Sequence, residues 1–266
     1  MNQARVLAVL AGVLASASAR ADTISIRVDN LMASDSFFLT PLWVGAHDGT
    51  FDTYDGGAFA SGFPGITEIA ELGDTSVLSG RFASEQPGGR DATITAVAFD
   101  GDAPVFSPGE SATYLLDVGD ASTNRYFSYA SMVIPSNDLF VANGNPMAHQ
   151  LFDASGSFLG PVVIDIYGWA VNDNGTEVND AHGGAAFSAN GGTSVDEFLV
   201  VRGFFTDSGD VPYLESFIGS LTGNGAMIGS TFSEGELIAR ITVVPAPGAL
   251  SAFGMVGVIW AGRRRR

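Results

Sequence analysis

Short β-type runs set between dense turn signals dominate this sequence, and that pattern narrows the fold to an antiparallel β architecture. The clearest runs are Thr23–Val28, Phe37–Ala46, Ala92–Phe99, Thr113–Val118, Tyr126–Ile134, Val162–Tyr167, Phe198–Phe204 and Leu237–Val244. Thr23 to Val28 alternates polar and apolar residues, as does Ala239 to Val243, so one face of each is expected to be buried. The only helix-like stretch is Gly65 to Leu72, where Ile66, Ile69 and Ala70 share a side. Segments rich in Gly, Asp and Asn (Thr50–Phe63, Ala142–Gly160 and Asp180–Ser194) read as loops, where ligands usually bind. Many strands with frequent turns and little helix predict an all-β fold, a single antiparallel β-sandwich over residues 22–243. No internal repeat and no linker divides this stretch.

The two ends read as export and sorting segments. Residues 1–21 combine Arg5, an apolar run from Val6 to Ala15 and a small-residue close, the pattern of a cleaved secretory signal peptide. The other end, 244–266, reads Val244-Pro245-Ala246-Pro247, then an apolar run from Gly248 to Gly262, then Arg263-Arg264-Arg265-Arg266. The apolar run is about 15 residues, short of the roughly 20 that cross a bilayer as a helix. The four arginines would hold that terminus on the cytoplasmic side. The plain alternative is a hydrophobic C-terminal strand or a tail anchor. In order and spacing, the three parts resemble the PEP-CTERM signal of Gram-negative bacteria in its Val-Pro-Ala-Pro variant. The resemblance implies a C-terminal sorting helix that touches the inner membrane transiently, an exosortase as partner, and delivery to the cell surface or extracellular matrix.

Charge excludes several functions. All 29 acidic residues lie between the two ends, whereas six of the 12 basic residues, every one an arginine, lie within them. The stretch between therefore carries about −23. Such a surface will not bind nucleic acid through its phosphates, and it repels acidic polysaccharide unless divalent cations intervene. Acidity as a simple aid to solubility is the plain reading beside a cation-related role. There is no cysteine, which removes thiol catalysis and disulfide bracing. There is no lysine for a phosphate-gripping P-loop and no Gly-x-Ser-x-Gly elbow.

Four segments, in order, resemble the bacterial form of the spondin N-terminal (F-spondin) domain. They are Thr40-Pro41-Leu42-Trp43-Val44-Gly45-Ala46-His47-Asp48-Gly49 with Phe51-Asp52, Ala70-Glu71-Leu72-Gly73-Asp74-Thr75, Ser131-Met132-Val133-Ile134-Pro135-Ser136-Asn137-Asp138-Leu139-Phe140-Val141, and Asp173-Asn174-Gly175-Thr176-Glu177-Val178-Asn179-Asp180. The match runs from about Ile24 to Gly184. It implies a C2-like β-sandwich that is not an enzyme, belongs to the extracellular matrix and carries calcium. The chain departs from the animal pattern in lacking cysteines and in having Asn137 and Leu139 beside the aspartate.

Asp138 is the centre of the implied metal site, with Glu110 as the second acidic ligand and a carbonyl near Ala142 as a third. Calcium takes six to eight hard oxygens from carboxylates, carbonyls and water, and Asp138 follows a strand into a loop mouth. The alternative role for Asp138 is capping a turn. The oxygen-rich loop Asp173 to Glu177 does not fit an EF-hand. It reads first as a turn with Gly175 at positive φ and second as a ligand loop. None of His47, His149 and His182 pairs with another at metal-ligand spacing, and His47 reads as structural. Trp43, Trp169 and Tyr167 read as core aromatics ahead of a sugar-stacking platform.

These readings predict an exported, surface-sorted, non-enzymatic module of the bacterial matrix or biofilm, adhesive through calcium-bridged contact with exopolysaccharide or another surface protein. The alternatives are an exported hydrolase of matrix glycans, which would need a carboxylate pair that the sequence does not single out, and a periplasmic ligand-binding protein.

Overall fold

The computed structural model describes residues 23–96, 104–206 and 210–246. The signal peptide, the C-terminal helix, Pro247 and Arg263 to Arg266 lie outside them. The described chain forms strands β1 (Thr23–Asn30), β2 (Phe38–Leu39), β3 (Leu42–His47), β4 (Arg90–Ile94), β5 (Ser111–Asp117), β6 (Tyr126–Ile134), β7 (Leu139–Ala142), β8 (Val162–Tyr167), β9 (Val171–Asp173), β10 (Arg202–Gly203) and β11 (Leu237–Pro245). Three short helices join them: α1 (Ile66–Leu72), α2 (Ser76–Glu85) and α3 (Asp210–Glu215).

The strands make two antiparallel sheets. The smaller runs β5-β1-β11-β8, and the larger runs β10-β9-β7-β6-β3-β4, with β2 added to β6. In β1, the alternation seen in the sequence points Ile24, Ile26 and Val28 inward. They meet Ile241 and Val243 of β11 and Ile164 and Ile166 of β8 in the main core, which also takes Phe127, Tyr129, Met132 and Val141 from the larger sheet. A bulge between Leu237 and Ala239 lets Ile238 and Ala239 both turn inward.

A third layer covers the outer face of the larger sheet. There Trp43, Ala130 and Phe140 pack against Ile66, Ile69, Leu78 and Phe82 from α1 and α2, and against Phe51. The Phe82 ring lies over the backbone of Gly45, where an added Cβ would come within 2.9 Å of it. Gly65, at φ 100, packs so closely on α2 that an added Cβ would stand 2.5 Å from Leu78 Cα, which fixes where the two helices meet.

Several expected elements change. The run Phe37–Ala46 divides into β2 and β3, and Phe198–Phe204 keeps only β10 before a 3-10 turn at Phe204–Thr206. Helix α2 and strands β7 and β9 were not expected. The sandwich extends past residue 243, because Val244 pairs with Ser25 and Pro245 with Ile24. Ala246 N also donates to Thr23 O at 3.0 Å. Three residues of the sorting motif therefore belong to the ladder of the smaller sheet.

Candidate functional site

The tight connection from β6 to β7 is fully buried, with Ser136, Asn137 and Asp138 all at zero exposure. Buried polar groups need partners, and each finds a different one. Ser136 Oγ donates to Val133 O and accepts from Leu139 N, so serine closes the turn. Asn137 is tied to α3, since its N–H donates to the Tyr213 hydroxyl, which donates back to Asn137 Oδ1 at 2.7 Å. Asp138 is thereby free of the capping role. Its Oδ2 reaches across the sheet instead, accepting from Thr176 N at 2.8 Å, Thr176 Oγ1 at 3.2 Å and Glu177 N at 3.1 Å.

Pairing of β7 with β9 explains that reach. Leu139 stands opposite Asp173, which brings the loop 173–180 beside Asp138. Asp173, also at zero exposure, accepts from Gly175 N at 2.8 Å on Oδ1, and from Asn179 Nδ2 at 2.8 Å and Arg202 at 3.0 Å on Oδ2. Gly175 takes the expected positive φ, 69°. Asn174 Nδ2 donates to Thr176 Oγ1 at 2.9 Å and Thr67 Oγ1 at 3.3 Å.

After these bonds, three buried acceptor oxygens keep no hydrogen-bond partner: Asp138 Oδ1, Asn174 Oδ1 and Asn179 Oδ1. Burial, and next the neighbouring Asp173 charge, push the Asp138 carboxyl up to about 7, against the opposing pull of its bonds from Glu177 and Thr176. Two buried carboxylates and three unanswered oxygens make a site short of positive charge and of donors. A cavity of about 270 Å³ opens beside it, lined among others by Glu71, Gly175, Thr176, Glu197 and Phe198. Glu71 is raised by burial and then by the Glu177, Glu68 and Asp196 charges.

The structure gives Glu110 other partners and sets Ala142 apart from Asp138. Glu110 closes its own turn ahead of β5, with Oε2 accepting from Ser107 N at 3.0 Å and its carbonyl accepting from Asn30 N at 3.0 Å. Ala142 ends β7 and pairs with Ala130. Four residues of strand separate it from Asp138, about 13 Å at the usual rise, so one ion cannot touch both. The other unpartnered buried oxygens of this corner belong to Asn174 and Asn179, on the loop whose Thr176 and Glu177 N–H groups bond Asp138. Among the described residues no group of three or more His, Cys, Asp or Glu side chains is arranged to hold a metal, so amide oxygens would have to complete any shell.

His47 and Ser128 have the separation of a base and its nucleophile, Nε2 to Oγ 2.9 Å. The proton sits the wrong way for that chemistry. Gly49 N donates to Nδ1 at 3.0 Å, so Nε2 carries the hydrogen and gives it to Ser128. Both residues are at zero exposure, and burial drives His47 down to about 4.

The aromatics divide. Trp43 is fully buried, as a core residue should be, but Trp169 is 59% exposed and lies nearly parallel to Tyr167, interplanar angle 12° and centroids 6.1 Å apart. Among the described residues no helix is long and apolar enough to cross a membrane.

No family model matches the chain, and no curated protein matches it.

Proposed function

We propose that this protein is an exported, surface-sorted, non-enzymatic spondin-like module with a C2-like sandwich, and that it acts in the bacterial extracellular matrix by calcium-dependent adhesion. The observation that carries the reading is the set of unanswered buried oxygens on Asp138 and on the loop 173–180 that bonds it. Hard oxygens with too few donors are what calcium binds. Asp138, Asn174 and Asn179 would hold it, with Asp173 adding charge from behind and water filling the shell. Bound calcium would supply the positive charge that this corner lacks, and it would fix the loop 173–180 against β7. Because Asp138, Asp173 and Asn174 are fully buried, the ion would act on adhesion indirectly, by ordering the loop that reaches the surface at Glu177 and Val178.

The hydrolase reading draws no support from the buried carboxylates. Asp138 and Asp173 are closed off from any glycan, and the Ser128–His47 contact holds its proton on the wrong nitrogen. The exosortase, the signal peptide and the surface location rest on the two chain ends read from the sequence.

Thermal unfolding with calcium and then with excess chelator tests the reading. Calcium at 100 times its dissociation constant adds about 2.7 kcal/mol, a rise of roughly 5–10 °C for a domain of this size. The rise should vanish in Asp138→Asn and persist in Glu110→Gln. No calcium-dependent shift, or a shift lost in Glu110→Gln and kept in Asp138→Asn, refutes it.

A further inference from the structure

The outer face of the smaller sheet is a second surface, separate from the Asp138 corner. Trp169 lies in the 3-10 turn Gly168–Ala170 that precedes β9, whereas Asp173 ends that strand. Register places Ser25, Arg27 and Asp29 of β1 outward, beside Ser111, Thr113 and Leu115 of β5 and Arg240, Thr242 and Val244 of β11. Val163, Asp165 and Tyr167 continue the row on β8. No described element packs over this face.

Its chemistry contrasts with the rest of the chain. Each arginine here is neutralised on the same face: Arg27 bonds Asp29 at 2.6 Å, and Arg240 bonds Asp165 at 2.5 Å with its second nitrogen at 3.1 Å. Hydroxyls of Ser25, Ser111, Thr113 and Thr242 fill positions between the pairs. On a stretch that carries about −23, these central rungs hold two paired arginines and several hydroxyls, with Asp117 the one acid of the face without an arginine partner among the described residues, at the end of the β5 row.

The aromatic pair stands at one end of this face and is held there by backbone. Gly168 N donates to Glu236 O at 2.8 Å, and Trp169 N donates to Glu234 O at 2.8 Å. Gly168 approaches so closely that an added Cβ would stand 2.1 Å from Ser233 O. The same segment, Ser233 to Glu236, lines a cavity of about 430 Å³ together with Thr231 and Phe232. An exposed tryptophan fixed parallel to a tyrosine gives up little freedom when a flat ligand lands on it.

We propose that Tyr167 and Trp169 form a stacking platform for an uncharged polysaccharide whose chain continues along the outer face of β8 and β11. A pyranose ring presents a flat C–H face to an indole and hydroxyls at its rim. The platform meets the first need, and the serine and threonine hydroxyls meet the second. With its two arginines already paired and Asp117 one rung beyond Leu115, the face offers a polyanion no attraction, and the acidic remainder of the chain repels one. The inference rests on the extracellular-matrix reading for where the glycan is encountered, but needs neither calcium nor Asp138.

Affinity gel electrophoresis of the purified full chain tests it, with galactomannan, xyloglucan, hydroxyethylcellulose or alginate cast in the gel. At least one uncharged polymer should retard the protein equally with calcium or chelator. Trp169→Ala should weaken that retardation about tenfold, the loss of one good aromatic contact, while Trp169→Phe keeps most of it and Asp138→Asn keeps all of it. Because the indole is mostly exposed, Trp169→Ala should melt within a few degrees of the parent, which separates lost binding from lost folding. Failure of every uncharged polymer to retard the chain overturns the proposal, as does equal retardation of Trp169→Ala. Retardation by alginate alone, calcium-dependent and lost in Asp138→Asn, overturns the platform and upholds the proposed function.

Discussion

Acid should destabilise this protein through His47, a buried neutral ring on the larger sheet. The ring lies beneath the helical layer, with centroids 6.2 Å from Phe51 and 6.3 Å from Phe82, and Ser128 accepts its one proton. Burial lowers its pKa from 6.5 to about 4, and the adjacent Asp48 charge offsets only part of that. A histidine lowered on folding binds fewer protons in the native state than in the unfolded chain. Its contribution is intact above pH 6.5 and is lost as pH falls toward 4. Between pH 7.5 and 4.5 the loss is about 2.5 kcal/mol, from 1.36 kcal/mol per pKa unit. Asp138, raised to about 7, acts in the opposite sense over the same range, so the total curve alone is not diagnostic. The comparison is between the parent and His47→Gln, by urea unfolding at each pH. The substitution removes the titration whatever fixed cost it adds. The stability gap between parent and variant should therefore change by about 2.5 kcal/mol, in the variant's favour, as pH falls from 7.5 to 4.5. A gap constant within about 0.5 kcal/mol would show that His47 is solvated or protonated in the native state, and the buried tautomer assigned here would be wrong.

Two further outcomes follow from the packing. Phe82→Ala should cost about 3–5 kcal/mol in urea unfolding, because Phe82 touches Trp43 and Phe51 at 5.4 and 4.9 Å between centroids and a rigid strand backbone lies beneath it; a cost under about 1 kcal/mol would mean that α2 is not a structural cover. A chain ending at Val243 should melt roughly 5–10 °C below one ending at Pro247, from about three ladder bonds at ~1 kcal/mol each; equal melting temperatures would place Val244 to Ala246 outside the folded unit.

Much of the sheet was legible because its signals are local. Tyr126–Ile134 and Val162–Tyr167 appear as strands with the expected bounds, and the alternation in β1 points its isoleucines inward as the period of two requires. Half of the helical layer was legible, since Gly65 to Leu72 forms α1 with Ile66, Ile69 and Ala70 buried, but α2 was hidden, because it carries Gly80 in its middle and buries only Leu78 and Phe82. A tertiary signal for it was nonetheless present: a strand with nearly every residue buried, as in β6, needs cover on both faces. The site divided the same way. Asp138 and the oxygen-rich loop Asp173 to Glu177 were singled out separately, and Asn179 was not, because the meeting of Asp138 with this loop depends on the long-range ladder between β7 and β9. Without that register, Glu110 and Ala142 were chosen from the resemblance; strand geometry separates Ala142 from Asp138, and Glu110 is taken up by its own turn.

Trp43 and Trp169 carry that lesson further, since residue type gives both the same prior. What separates them is their cover. Trp43 projects from the larger sheet toward α2, and its Nε1 finds Asp91 at 3.1 Å. Trp169 projects beyond the end of β8, where no described element crosses the smaller sheet. A large apolar ring left in water costs solvation that burial would recover, about 25 cal/mol per Å². The backbone that carries this indole is fixed by two hydrogen bonds and by a glycine that admits no Cβ, and that fixed placement is the basis of the proposed stacking platform.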